Sequence, residues 1–312
     1  MQENNNIPKI SLGPVLYYWD KESMYNFYER IAKTQVDIVY LGETVCSKRK
    51  LLRKDDWLQI AKNLQDAGKE VVLSSMTLIE ANSELATLKN VCNSNEFQVE
   101  ANDMAAVQLL KGKSFVTGPA INIYNPYTLK VLEDQGMCRW VMPLELSSEA
   151  LADLQKNKSE HVETEVFVYG RMPLAYSARC FTARAHNLPK DDCQYRCLDY
   201  PDGLLMATQE KEKFLILNGI QTQSVKICNL ISELKELVKL NVDVLRISPS
   251  SMNTEKVIEI FYQCLHEDIS LHGAAEEIER LTKVSGSCNG YWYGGNGMDY
   301  INSVKNDLEI SV

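Results

Sequence analysis

The chain has 312 residues, 45% of them hydrophobic and 24% charged, with a formal net charge of −9. That composition supplies a sizeable core, and the acidic balance disfavours a generic nucleic-acid-binding surface. The opening Met1-Gln2-Glu3-Asn4-Asn5-Asn6 is polar and no apolar run approaches the roughly 20 residues that span a bilayer, so nine cysteines without an export signal point to a reducing, cytoplasmic setting.

In chain order, short β-rich runs alternate with amphipathic helical runs. Strands are predicted over residues 10–18, 36–41, 70–73, 97–100, 114–117, 139–143, 165–169, 214–217 and 242–247. Helices are predicted over 22–33, 56–66, 78–89, 103–110, 127–134, 148–156, 230–240 and 254–266. In 56–66, Trp57, Ile60, Ala61 and Leu64 recur at helical spacing and Gly68 lies just past the end. Strand then helix, repeated, means parallel strands with crossover helices. Nine strand candidates are one more than a closed barrel needs. An open doubly wound sheet fits almost as well, but the count favours a TIM-type, barrel-like α/β fold. Residues 285–296, rich in Gly, Asn, Tyr and Trp, read as a loop.

The pattern breaks at a cysteine-bearing stretch. Cys180, Cys193 and Cys197 are separated by twelve and by three residues, with Arg179, Arg184, Lys190 and Arg196 among them. Thiolates bunched in this way are metal or cluster ligands more often than disulfide partners in such a compartment. Three fall one short of the set that holds an iron–sulfur cubane. Cys46 is the best fourth, because Cys46 and Cys180 both follow strands on the same predicted face. His186 with the three late cysteines would instead make a zinc site, and Cys288, in the predicted tail loop, is the reserve sulfur. Cys92, Cys138, Cys228 and Cys264 read as core thiols. Arg171, Arg179, Arg184 and the pair Lys48-Arg49 could bind an anion or form a solvated rim. Glu43 and Glu145 could move protons, though an ordinary hydrogen-bonding role suits each as well. The expected organisation is a single barrel-like domain over residues 1–312 with a cluster-binding insertion about 171–213.

Several stretches carry a resemblance. They are Ser11-Leu12-Gly13-Pro14-Val15-Leu16, Leu41-Gly42-Glu43-Thr44-Val45-Cys46-Ser47-Lys48-Arg49, Leu174 through Arg184, Leu217-Asn218-Gly219-Ile220-Gln221-Thr222 and Cys288-Asn289-Gly290-Tyr291-Trp292. Together they resemble the collagenase-like peptidase family across essentially the whole chain. Several members of that family hydroxylate RNA bases or a quinone precursor without oxygen. The family's motif is matched here by Glu165, Phe167, Gly170, Met172 and Cys180, while Pro173 stands where the family has its first cysteine. That departure favours the quinone branch.

The resemblance implies a 4Fe–4S cluster on Cys46, Cys180, Cys193 and Cys197. It also implies O2-independent hydroxylation in anaerobic ubiquinone biosynthesis, as a heterodimer with UbiU and in concert with the lipid-binding protein UbiT. The substrate would be a ubiquinone precursor, and prephenate is the oxygen donor that relatives suggest. The catalytic residues are not specified by either route. A non-catalytic, cluster-bearing scaffold for UbiU is the alternative, and a peptidase a more distant one. Neither His-Glu-x-x-His nor Gly-x-Ser-x-Gly occurs to support hydrolysis.

Overall fold

The computed structural model describes residues 7–302. Its strands are β1 (Lys9–Leu12), β2 (Ile38–Leu41), β3 (Glu70–Ser74), β4 (Gln98–Ala101), β5 (Phe115–Thr117), β6 (Met137–Val141), β7 (Glu163–Tyr176), β8 (Leu204–Ala207), β9 (Lys213–Asn218), β10 (Gln221–Asn229), β11 (Val244–Ile247) and β12 (Ser287–Cys288). Strands β1 to β7 pair in parallel and in sequence. Strand β11 then lies between β7 and β1, with Val244 registered against both Glu165 and Lys9. The sheet is therefore a closed eight-stranded parallel barrel, and the open-sheet alternative is set aside.

The helices are α1 (Lys21–Ile31), α2 (Lys54–Asp66), α3 (Asn82–Cys92), α4 (Met104–Leu110), α5 (Pro126–Gln135), α6 (Ser148–Gln155), α7 (Phe181–Ala185), α8 (Leu234–Lys239), α9 (Thr254–Leu265) and α10 (Leu271–Thr282). Their starts are set by local chemistry. Asp20 accepts from the Ser23 N–H ahead of α1, and Asn125 accepts from Thr128 ahead of α5, whose first residue is Pro126.

Alternation along the barrel strands separates two apolar compartments. Ile10, Leu12, Val39, Leu41, Val99, Ala101, Trp140, Val166, Leu245 and Ile247 belong to the large core shared with the helices. Ile38, Tyr40, Val72, Val116, Val141 and Val244 form a separate buried layer inside the barrel. Other inward positions are polar or charged. Arg246 pairs with Glu165 and with Glu100, each at 2.7 Å, while Arg139 pairs with Glu70 at 2.9 Å and Glu163 at 2.6 Å. Burial would push the Glu165 carboxyl up, but Arg246 and Arg139 hold it below the usual carboxylate range.

Three sequence expectations are revised. The predicted strand at 214–217, β9, is not a barrel strand. It lies in an antiparallel sheet in which the long β7 pairs with β10, β10 with β9, and β9 with β8. The first strand stops at Leu12 rather than running to residue 18, because Gly13 and Pro14 begin the loop above the barrel. The stretch from residue 285 includes strand β12, in which Cys288 is fully buried and registered with Cys228 of β10.

Candidate functional site

Ligand sites in such barrels lie beyond the carboxyl ends of the strands. There, β2 leads through Gly42 into the segment carrying Glu43, Thr44, Cys46, Lys48 and Arg49. Gly42 has a φ of +139°, and a Cβ on it would stand 2.6 Å from the Ser74 carbonyl oxygen, so this exit from the strand requires glycine. The Glu43 carboxylate accepts from the N–H groups of Val45 at 2.9 Å and Cys46 at 3.0 Å, which fixes the turn bearing Cys46.

Arg49 is buried and ties three segments together. It donates to the Leu16 carbonyl at 2.8 Å and to Asn218 Oδ1 at 2.7 Å, and it stands 3.7 Å from Glu43. Its guanidinium also lies 5.5 Å from the centre of the Tyr18 ring. Asn218 in turn donates to the Leu16 carbonyl at 2.7 Å and to Gln221 at 3.0 Å. The tight turn at Gly219 positions α7, since the Gly219 carbonyl accepts from Phe181 at 2.8 Å and its N–H donates to Thr182 at 2.9 Å. Cys180 is the residue that caps α7.

Of the four predicted sulfurs, Cys46 and Cys180 are brought together, while Cys197 and Cys193 are linked to the same loop through Arg49 and Lys48. Cys46 and Cys180 pack on the same small apolar floor of Leu16, Val45 and Ile220. The charge of Cys180 bears on both Cys46 and Cys197, raising their pKa values. Burial pushes the Cys46 thiol up to about 11, with Arg49 among the groups opposing it. Burial likewise raises Cys197, against the charge and hydrogen bond of Arg49. Cys193 is near Lys48, on whose ammonium its charge acts. Lys48 reaches the Lys190 carbonyl and Asp191, both at 2.9 Å, and Lys190 reaches back to the Ala178 carbonyl at 2.8 Å. Between Cys193 and Cys197 the chain turns through Gln194 and Tyr195, both at positive φ, a conformation that costs a residue with a side chain roughly 1–2 kcal/mol.

Other candidates fall elsewhere. Cys288 is not in a loop at this site, because β12 carries it into the core beside Cys228. Arg171 is spent on the Ser224 and Val225 carbonyls and on Ser285. His186 Nε2 is engaged by the Tyr200 hydroxyl at 3.0 Å. Glu145 accepts from Tyr124. All nine cysteines are free thiols, and among the described residues no three His, Cys, Asp or Glu side chains form a set for a single metal ion. No helix among them is long and apolar enough to cross a membrane.

Residues to which the sequence reading gives no chemical role surround the barrel mouth. A cavity of about 70 Å³ opens there, walled by Leu16, Thr44, Phe167, Tyr176, Arg246 and Ser248 among others. Leu16 and Tyr176 also touch the sulfur region, so the two features share a wall. The interleaved buried charges Glu100 and Arg246, each on a strand of otherwise apolar character, are the signal that points to this interior.

A parallel α/β barrel with a cysteine-bearing extension after its seventh strand is the class that fold and site define. Peptidase family U32 matches this chain over residues 23–296, and the chain belongs to that family. Solved structures with a similar course include the U32 peptidase Mk0906, 12% identical, covering 80% of this chain and 96% of its own at a TM-score of 0.45. An N-acetylneuraminate lyase from Aliivibrio salmonicida is 8% identical and covers 98% of this chain and 95% of its own at 0.47. The tryptophan synthase complex from Pyrococcus furiosus is 12% identical, covering 88% and 97% at 0.42.

Proposed function

We propose that this member of family U32 is a UbiV-type iron–sulfur protein of O2-independent hydroxylation in anaerobic ubiquinone biosynthesis. In this reading Cys46, Cys180, Cys193 and Cys197 hold a 4Fe–4S cluster, and the chain works as a heterodimer with UbiU, with UbiT presenting the lipid precursor and prephenate as oxygen donor. The observation that carries it is the meeting of the early loop with the late insertion. Cys46 and Cys180 share one apolar floor, and Arg49 of the early loop interacts with Cys197.

The residues fit an anionic, thiolate-bound group. Buried thiols with raised pKa values ionise readily only beside compensating positive charge. Arg49, whose Nε has no hydrogen-bond partner among the described residues, and Lys48 supply such charge. Strained backbone at Gln194 and Tyr195 is of the kind that persists where a site over-determines it. When bound, such a cluster supplies one-electron transfer. This chain's own part is to hold four sulfurs, offset their charge and keep the region largely dry. Leu16, on the wall shared with the barrel mouth, sets the sulfur region beside the cavity.

The test is the Cys193→Ala/Cys197→Ala double variant, purified without oxygen. It loses iron and the broad visible absorption of thiolate-bound iron while keeping its far-UV circular dichroism. Iron content equal to that of the unmodified chain overturns the ligand assignment. If the cluster-free variant still binds UbiU and supports hydroxylation, the chain is a scaffold rather than an electron carrier.

A further inference from the structure

The two halves of the sulfur site are held differently. Cys46 lies on a turn fixed by Glu43, and Cys180 caps a helix docked on the Gly219 turn, so the fold itself sets both. Cys193 and Cys197 lie instead in the link between α7 and β8, residues 186–203. No residue of that link is buried, and Tyr195 and Leu198 are 46% and 41% exposed. The link therefore gains little from apolar burial to offset the entropy lost in ordering it.

Its attachments to the rest of the chain lie toward its two ends. On one side Lys190 pairs with Glu80 at 2.5 Å, and Lys48 reaches the Lys190 carbonyl and Asp191, both at 2.9 Å. These are partly exposed ion pairs, of the kind that contribute little and weaken with salt. On the other side Trp19 Nε1 donates to the Pro201 carbonyl at 2.6 Å, and the Ser251 N–H to Asp202 at 2.8 Å. Between these clasps the hydrogen bonds turn inward. The N–H groups of Arg196, Leu198 and Tyr200 each bond three residues back, Arg196 pairs with Asp199, and Tyr200 meets His186. Among the described residues, the one hydrogen bond that leaves residues 192–200 for the barrel loops joins Cys197 to Arg49. Gln194 and Tyr195 are both at positive φ, so this stretch also has strain to release.

We propose that residues 192–200 form a strap. A group shared with the fixed pair Cys46 and Cys180 cross-links Cys193 and Cys197 and draws the strap shut; removing that group lets it open, which gives the group its way in. Binding free energy then serves as local folding free energy. The inference rests on the cysteine assignment proposed above.

The experiment is hydrogen exchange read by mass spectrometry on the full chain, prepared without oxygen, both iron-loaded and after a chelator has stripped the iron. Stripping should speed exchange across residues 192–200, which include the bonded amides of Arg196, Leu198 and Tyr200, about tenfold or more. Residues 43–49 and 181–185 should stay within about twofold. Trypsin should cut after Arg196 about tenfold faster in the stripped protein. Iron lost with no change at residues 192–200, or an equal rise over all three stretches, overturns the strap and leaves the ligand assignment standing. Iron content in Cys193→Ala/Cys197→Ala equal to that of the unmodified chain overturns both.

Discussion

Arg49 shows how one side chain sets both stability and chemistry. Its donors satisfy the Leu16 carbonyl and Asn218 while its charge faces Glu43, Cys46 and Cys197. Arg49→Met would strand those acceptors and leave the Glu43 carboxyl buried without its cation. A loss of about 3 kcal/mol in denaturant unfolding is expected, together with weaker iron retention. At the barrel's centre Glu165 makes a different prediction. Its folded pKa is depressed below the unfolded value of about 4.3, so its contribution to stability is whole above that pH. The contribution drains away as pH falls through the folded pKa. In Glu165→Gln, unfolding free energy should therefore fall less steeply with acid below about pH 4, by up to about 1.4 kcal/mol per pH unit. Identical slopes in the two proteins would mean that Glu165 is not held ionised by Arg246 and Arg139.

At the scale of elements, the exit from β2 is the most constrained junction. Gly42→Ala adds a Cβ to a left-handed position 2.6 Å from a carbonyl oxygen. It should cost on the order of 3 kcal/mol by thermal unfolding and displace the turn that bears Cys46. Wild-type stability in that variant would refute the strained exit. The eight barrel strands were legible because each contains a short apolar run and all but β7 lead into a helical pattern. The antiparallel extension was legible only in β9. Strand β10 reads Gln-Thr-Gln-Ser-Val-Lys-Ile-Cys-Asn, and its buried polar side chains are satisfied by hydrogen bonds rather than by an apolar core: Gln223 donates to Gln221 and accepts from Tyr17, while Ser224 accepts from the Met172 N–H and donates to the Lys226 carbonyl. Strand β8, on the far side of β9, leaves Leu205 exposed, so neither strand carries the usual alternation. Helix α10 is different. Ala274 and Ile278 at a spacing of four, with Ser270 as cap, carry an ordinary helix signal that a reading ending at residue 266 passes over. Cys288 misleads for the opposite reason, since a two-residue strand inside a Gly- and Asn-rich stretch has no periodicity to read.

For the molecule as a whole, the barrel does two things. It closes a charged interior under a mouth cavity, and it holds the early loop after β2 against the extension that begins with β7. That Cys46 and Cys180 lie on one floor was readable, because parallel strands bring their following loops to one face. The tether of Lys48 to Lys190 and the bond of Arg49 to Asn218 were not, because they join residues more than a hundred positions apart in sequence. In the function proposed above, Cys46, far from the others along the chain, completes the sulfur set. The decisive measurement is iron counted per chain after anaerobic purification, in Cys46→Ala beside Cys288→Ala. Cys46→Ala should lose most of its iron while Cys288→Ala keeps it; the reverse pattern would rule out Cys46 as the fourth ligand.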